Sequence, residues 1–246
     1  MSHSKFDSVA REYDAGRPGY PDALFDAVED LAGTFFHGAR VADIAAGTGK
    51  ATRAMQARGA HVFAADHGKN MLEVLRSRTP DTPILLADAN ALPFANAVAD
   101  LVTFAQAWHW VDLDRAPAEV VRVVRPGGAI ALWWNVADRP HAESWLVQHR
   151  ARYESLAHND VGTKFEASWQ AIPVVFAEFD VETTQVAWQR SVSREVILDE
   201  LRSKSYIFQL GAEGMRDYVE NERRLLPQGE LHESFLTRLA VVRIPA

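Results

Sequence analysis

Arg40-Val41-Ala42-Asp43-Ile44-Ala45-Ala46-Gly47-Thr48-Gly49 is an apolar run of strand length that breaks into two closely spaced glycines, and Lys50 to Arg58 behind it reads as a helix. A strand, a tight turn and a helix in that order open a βα unit. Glycine lacks a Cβ, so the turn can take φ > 0 and let a ligand approach the backbone. The N–H groups at the start of the following helix then point at whatever negative group sits there. On its own this signal is weak, because glycines at such turns often serve the turn alone.

The rhythm extends in both directions. Asp22 to Leu31 predicts a helix with Leu24, Ala27, Val28 and Leu31 on one face and Gly33 near its end. Downstream come a strand over 61–65 closed by Asp66, a helix over 69–78, a third strand over 84–87 closed by Asp88, and a fourth over 101–104 leading into Gln106-Ala107-Trp108-His109-Trp110. Leu113, Ala116, Val120 and Val123 have helical spacing, Arg125-Pro126-Gly127-Gly128 is a sharp stop, and 129–134 is a fifth strand. After Asn135 the pattern becomes irregular around one amphipathic helix carrying Trp145, His149, Tyr153 and Leu156. A strand near 179–188, helices over about 194–203 and 215–226, and a last strand over 235–244 complete about seven strands.

Composition narrows the function classes. With 246 residues, 48% hydrophobic and 24% charged, the chain can build a substantial core without staples. The absence of cysteine excludes disulfides, thiolate metal sites and a cysteine nucleophile. No stretch approaches the roughly 20 apolar residues of a membrane helix, and Met1-Ser2-His3-Ser4-Lys5-Phe6-Asp7 has no signal-peptide core, so a cytoplasmic location and no membrane partner are expected. A net charge of −7 disfavours nucleic acid and favours a small-molecule partner.

Two nucleotide templates fail at the turn. A P-loop needs glycine at 44 and Ser or Thr at 51, where this chain has Ile44 and Ala51, and a G-x-G-x-x-G fingerprint needs a third glycine where Thr52 stands. The carboxylates that end successive strands say more. Asp66 follows Gly49 by 17 residues, where a doubly wound sheet can offer a carboxylate to the ribose hydroxyls of a nucleoside, and Asp88 closes the next strand. Gly47, Asp66, Asp88 and Gln106 would converge on one crevice at the C-terminal ends of the strands. The competing role for each aspartate is to cap the helix that follows.

The chain resembles the class I S-adenosylmethionine-dependent methyltransferases. Residues 41–49 look like their first motif, Asp66 like the acidic end of their second strand, and Asp88-Ala89-Asn90-Ala91-Leu92-Pro93-Phe94 like their adenine-binding turn. Val123-Val124-Arg125-Pro126-Gly127-Gly128 resembles the turn before their fifth strand. The resemblance covers about residues 6–135 and extends to the last strand. Ala45 departs from it, since the family usually has glycine there. Tyr13 to Pro21 and Gln106 to Trp110 resemble the branch that includes trans-aconitate methyltransferase. The resemblance implies a Rossmann-like α/β fold, a doubly wound seven-stranded sheet, mostly parallel with an antiparallel last strand. It implies one methyltransferase domain over 1–246: an N-terminal lid (1–30), a cofactor-binding core (31–135), a cap insertion (136–175) and C-terminal strands and helices (176–246).

It further implies S-adenosyl-L-methionine as cofactor, with S-adenosyl-L-homocysteine as product. The amino acid end would lie over Ala45, Gly47 and Gly49 near Asp43, the ribose on Asp66, and the adenine between His67 or Met71 and Leu92, at Asp88-Ala89. Tyr13 and Arg17 would close over it, beside Gln106. The implied reaction is transfer to a carboxylate or hydroxyl oxygen of a small molecule. A carboxylate acceptor needs only a clamp such as Arg17, Arg139 or a residue of the insertion. A hydroxyl acceptor needs a base, for which His109 is the candidate and a packed aromatic corner the competing role. Of Trp133 and Trp134, one should face the crevice. His141 and His149 have no third ligand at metal spacing, so no metal site is expected. Two other functions stay open: a protein acceptor, and a methyltransferase-like binding or regulatory protein without transfer activity, toward which Ala45 leans.

Overall fold

The computed structural model describes residues 7–156, 160–204 and 207–246. Residues 1–6 of the expected lid, 157–159 of the expected cap and 205–206 of the C-terminal part lie outside them. Seven strands form one sheet in the order β3-β2-β1-β4-β5-β7-β6. They are β1 (Arg40–Ile44), β2 (His61–Asp66), β3 (Ile84–Leu86), β4 (Ala99–Ala105), β5 (Val124–Ala137), β6 (Asp180–Ser193) and β7 (Glu230–Arg243). The first five pair in parallel, and β7 runs antiparallel to both β5 and β6. The strand order reverses between β1 and β4, and ligands of doubly wound sheets bind at the C-terminal ends of the strands beside such a switch point.

Nine helices of the described residues surround it. They are α1 (Ala10–Gly16), α2 (Asp22–Ala32), α3 (Lys50–Ala57), α4 (Lys69–Arg78), α5 (Ala116–Val123), α6 (Ser144–Glu154), α7 (Asp160–Val175), α8 (Arg194–Arg202) and α9 (Gly211–Leu225). Because strand side chains alternate between faces, each central strand feeds two cores. Val41, Leu101, Ala131 and Trp133 meet Phe25, Val28 and Met55 of α2 and α3. Ala42, Val102, Leu132 and Trp134 meet Val120 of α5 and Ile172 of α7. Each fully buried large apolar side chain contributes about 1.5–3 kcal/mol.

Three expectations need correction. The region after Asn135 holds two helices, not one: α7 presents Phe165, Trp169 and Ile172 to the sheet, with Phe176 just beyond it. Gly162 and Pro173 disguise it in the sequence, but Pro173 lies in the last turn, where its missing N–H costs one bond of the helix only. Strands β6 and β7 each run 14 residues, well beyond the predicted segments. The Arg125–Gly128 segment is an excursion within the β5 run, since Val124 still pairs with Ala99 before Ala129 pairs with Leu101.

The N-terminal segment is fastened by polar contacts with distant sequence. Asp7 Oδ1 accepts from the Asn70 and Met71 N–H groups (2.7 and 3.1 Å), capping α4 from 63 residues away. Asp14 accepts from Arg53 (2.9 Å) and Arg78 (3.1 Å). At the end of α1, Gly16 packs so closely on α8 that a Cβ there would lie 2.1 Å from the Glu200 backbone nitrogen. A third apolar cluster, with Ile197, Leu201, Val219 and Leu231 at its centre, joins α8, α9 and β7, and Trp145 and Tyr153 of α6 pack on it.

This close approach predicts that Gly16→Ala lowers stability by about 1–3 kcal/mol through overpacking. Thermal unfolding should fall accordingly, and limited proteolysis should cut around α1 faster than in the parent. Unchanged melting and unchanged cleavage would refute the docking of α1 on α8.

Candidate functional site

The turn after β1 is built from three left-handed residues: Ala45 (φ 54°), Gly47 (φ 57°) and Gly49 (φ 80°). For alanine this conformation costs about 1–2 kcal/mol, so Ala45 is strained where glycine would not be. Asp66 at the end of β2 fixes the turn from outside. Its Oδ2 accepts from the Gly47 N–H (2.8 Å) and its Oδ1 from the Gly68 N–H (2.7 Å). Burial pushes this carboxyl above its ordinary range, and the two N–H bonds offset only part of that. Each oxygen retains a lone pair for further donors.

A cavity of about 980 Å³ opens over this turn and runs between α1, α6 and α8. That volume lies at the upper end of the roughly 300–1,000 Å³ of small-molecule sites. Its walls bring together Tyr13, Arg17, Ala45, Gly47, Asp66, His67, Met71, Asp88, Ala89, Gln106 and His109. Three residues expected there lie elsewhere. Asp43 is fully buried below the turn, accepting from Thr52 Oγ1 (2.6 Å) and Thr103 Oγ1 (3.0 Å), so it ties β1 to α3 and β4. Gly49 backs onto α4, where a Cβ would lie 2.7 Å from Leu75 Cγ. Leu92 is buried in the core. Gln106, after β4, is a second non-glycine wall residue at positive φ (63°), held by its N–H to the Trp133 carbonyl (2.8 Å).

His109 lines the cavity in a state unsuited to a base. Its Nδ1 accepts from Trp134 Nε1 (3.0 Å), which places the ring proton on Nε2. Burial, aided by Lys164, lowers its pKa to about 4, so it stays neutral. Trp134 and Trp110 line the cavity, whereas Trp133 faces the opposite core and Trp108 is fully buried.

The half of the cavity away from the turn is walled by His149, Arg150 and Tyr153 of α6, Glu200 and Lys204 of the α8 region, and Glu233 and Phe235 of β7. Most charges here are matched. Arg139 pairs with Glu154 (2.9 Å), Lys204 with Glu200 (2.6 Å), and Arg190 with both Glu200 (2.8 Å) and Glu233 (2.5 Å). Burial and the neighbouring Glu200 charge push Glu233 up to about 7. Arg17 donates to the Ser203 side chain (2.8 Å) and carbonyl (3.0 Å). Arg150 differs: it is 6% exposed, and its Nη1 is buried with no hydrogen-bond partner among the described residues. Sequence reading missed Arg150, Glu200, Lys204 and Glu233. It placed His149 on an apolar helical stripe, and that polar residue on such a stripe was the one available signal.

Comparison with known proteins points the same way. Residues 42–132 match the family described as "Methyltransferase domain". The chain is 34% identical over 221 residues to an uncharacterized methyltransferase of Mycobacterium tuberculosis, covering 90% of this chain and 85% of that one. Its fold is similar to that of a candidate type II methyltransferase from Anaeromyxobacter dehalogenans, with a TM-score of 0.71 and 22% identity over 94% of this chain and 99% of that one. It is also similar in fold to Haemonchus contortus phosphoethanolamine N-methyltransferase 2 in complex with S-adenosyl-L-methionine. There the TM-score is 0.56, with 16% identity over 98% of this chain and 57% of that one. The residues here fit that cofactor: Gly47 has open space where a Cβ would project, and the Asp66 oxygens keep acceptor capacity on the wall.

Two predictions follow from the turn. Ala45→Gly removes left-handed strain but loosens the unfolded chain, so stability should stay level or rise by up to about 1 kcal/mol. Affinity for S-adenosylhomocysteine by calorimetry should remain within about threefold; a clear destabilisation would refute the strain at 45. Burial, opposed by the Thr52 and Thr103 hydrogen bonds, raises Asp43 from 3.8 to about 6. Between those values the native protein holds a proton that the unfolded chain has lost, so stability falls as pH rises through the window and is level above it. Asp43→Asn should therefore gain on the parent by up to about 3 kcal/mol between roughly pH 4 and 7 in denaturant titrations, and parallel pH profiles would refute the shift.

Proposed function

We propose, from the premise that the chain belongs to the class I S-adenosylmethionine-dependent methyltransferases, that it methylates an oxygen of a small, acidic molecule. Membership rests on the Mycobacterium tuberculosis relative, matched over most of both chains. The acceptor reading is carried by one observation: the buried, unpartnered Nη1 of Arg150 on the cavity wall. A guanidinium removed from water without a counterion is costly, commonly several kcal/mol. A carboxylate on the acceptor would satisfy it with charge-assisted hydrogen bonds. Arg139 and Arg17, the other cations expected as clamps, are engaged by Glu154 and Ser203. The likeness of Tyr13–Pro21 and Gln106–Trp110 to the trans-aconitate methyltransferase branch is consistent with a small acid.

When bound, S-adenosylmethionine supplies a methyl group on a sulfonium, a strong electrophile. The chain's own part is to bind, align and keep water out. Asp66 would accept from the ribose hydroxyls, and the open face of Gly47 would take the amino acid end. Tyr13 and Arg17 of the lid would cover both. His109, with its proton on Nε2, would act as a hydrogen-bond donor. A cavity covered by the lid and by α6 and α8 suits a small molecule better than a protein segment.

Methyl transfer from labelled cofactor to a panel of small carboxylic acids with and without a hydroxyl group, with the matching amides as controls, tests this reading. Acids should be accepted at least about tenfold better than amides. Arg150→Gln should raise the acceptor KM by roughly 10- to 100-fold while leaving S-adenosylhomocysteine binding unchanged, as expected for one charged hydrogen-bonding partner. Equal use of amides, or an Arg150→Gln variant with unaltered acceptor KM, would overturn it.

A further inference from the structure

His149 is 4% exposed and lines the cavity from α6, beside Arg150. Its Nδ1 lies 2.6 Å from Oε2 of Glu222, a fully buried residue of α9. A carboxylate only accepts, so the bond fixes the ring proton on Nδ1 and leaves Nε2 as the lone-pair nitrogen. Nε2 has no hydrogen-bond partner among the described residues. Glu222 is itself held by Arg152, which donates from Nε (2.5 Å) and Nη2 (2.9 Å). Burial raises this carboxyl, but the His149 and Arg152 bonds and charges outweigh it and keep it below its ordinary range. The charged or titratable neighbours of the imidazole are therefore Glu222 from α9 and Arg150, Arg152 and Tyr153 from α6. The Tyr153 ring meets it edge-on at 5.1 Å.

We infer that His149, oriented by Glu222, is the general base of this enzyme, and that the methylated oxygen is a hydroxyl of an acid whose carboxylate is anchored by Arg150. A cavity-lining base whose ring is fixed by a buried carboxylate, with the other nitrogen left as a lone-pair acceptor, has the arrangement that proton abstraction requires. The rival bases on the same wall are engaged: His109 Nδ1 by Trp134, and Glu233 Oε2 by Arg190. In the step, the hydroxyl proton passes to His149 Nε2 as its oxygen bonds the methyl carbon. The carbon–sulfur bond breaks with its electron pair kept by sulfur, which leaves as the neutral thioether, and the imidazolium returns its proton to solvent. A carboxylate nucleophile would need no base, so the dyad separates hydroxyl from carboxyl methylation. Glu222 acts through His149 and is a positioning residue.

This inference rests on the reading of an oxygen acceptor, and its test has an arm independent of that reading. In the protein saturated with S-adenosylhomocysteine, nitrogen-detected NMR of the His149 ring, assigned by its loss in His149→Gln, should show neutral His149 protonated on Nδ1, with Nε2 taking up the second proton. A proton on Nε2 would overturn the dyad whatever the acceptor. The second arm uses labelled cofactor with 3-hydroxybenzoate, 4-hydroxybenzoate, 3-hydroxybutyrate and their deoxy counterparts. Label should enter the hydroxylated acids as alkali-stable ether. His149→Gln should lower kcat by about 10²- to 10⁴-fold without changing cofactor binding. Glu222→Gln should lower kcat by a smaller factor and move the acidic limb of the pH–rate profile to lower pH, because the imidazolium loses its counter-charge; a purely structural Glu222 would leave that limb in place. Label recovered as alkali-labile ester, at equal rates in the parent and His149→Gln, would overturn the base while leaving oxygen methylation intact.

Discussion

The paired hydrogen bonds from the Gly47 and Gly68 N–H groups to the Asp66 carboxylate hold the ends of β1 and β2 in one frame. Much of the cofactor half follows from them. The carboxylate takes the Gly47 N–H of the turn after β1, whose backbone is left-handed at residues 45, 47 and 49. Asp43 then secures the base of the turn through Thr52 and Thr103. The two aspartates do opposite work with the same chemistry. Asp43 spends its acceptors inward on side-chain hydroxyls and is lost to the ligand, while Asp66 uses one acceptor site per oxygen on backbone and keeps the others on the cavity wall.

Ala45 illustrates how a sequence motif and its geometry can part company. The missing glycine invites a reading of decayed binding, yet the backbone takes the left-handed conformation that a glycine would take. The cost falls on conformational energy, about 1–2 kcal/mol, and leaves the path of the chain in place. Gln106 carries comparable strain on the facing wall. Strained backbone concentrated at a cavity is a common mark of a working site.

The parallel half of the fold was legible because each of its elements is specified locally. Strands β1, β2 and β4 are short apolar runs, the turns after β1 and β2 are marked by glycine and aspartate, and α2 and α4 end where the sequence changes character. The convergence of Gly47, Asp66, Asp88 and Gln106 followed from topology alone. The cap was not legible in the same way. Helix α7 has its apolar residues at helical spacing, but Gly162 and Pro173 read as loop punctuation and hid it. His149 was visible on the stripe of α6, but Glu222, which gives its ring a direction, lies 73 residues further on. Arg150 was visible only as a charge, since its lack of a partner is a property of the packed molecule.

Charge accounting around the cavity explains why that last feature matters. Around the cap half, Arg139, Arg190, Lys204 and Arg152 each meet a carboxylate, and Arg17 meets Ser203. A fold able to pair that many cations had carboxylates available, and Glu154 and Glu233 line the same cavity as Arg150. Neither is turned to it: Glu154 goes to Arg139 and Glu233 to Arg190. Among the described residues, the buried Nη1 of Arg150 is thus left without an acceptor. Its guanidinium lies over the Phe235 ring at 5.7 Å, which supplies a weakly attractive face and no hydrogen-bond acceptor. The energetic logic is that of preorganisation. A cation whose desolvation is met in folding and which is fixed in a low-dielectric wall attracts an opposite charge more strongly than one left in water.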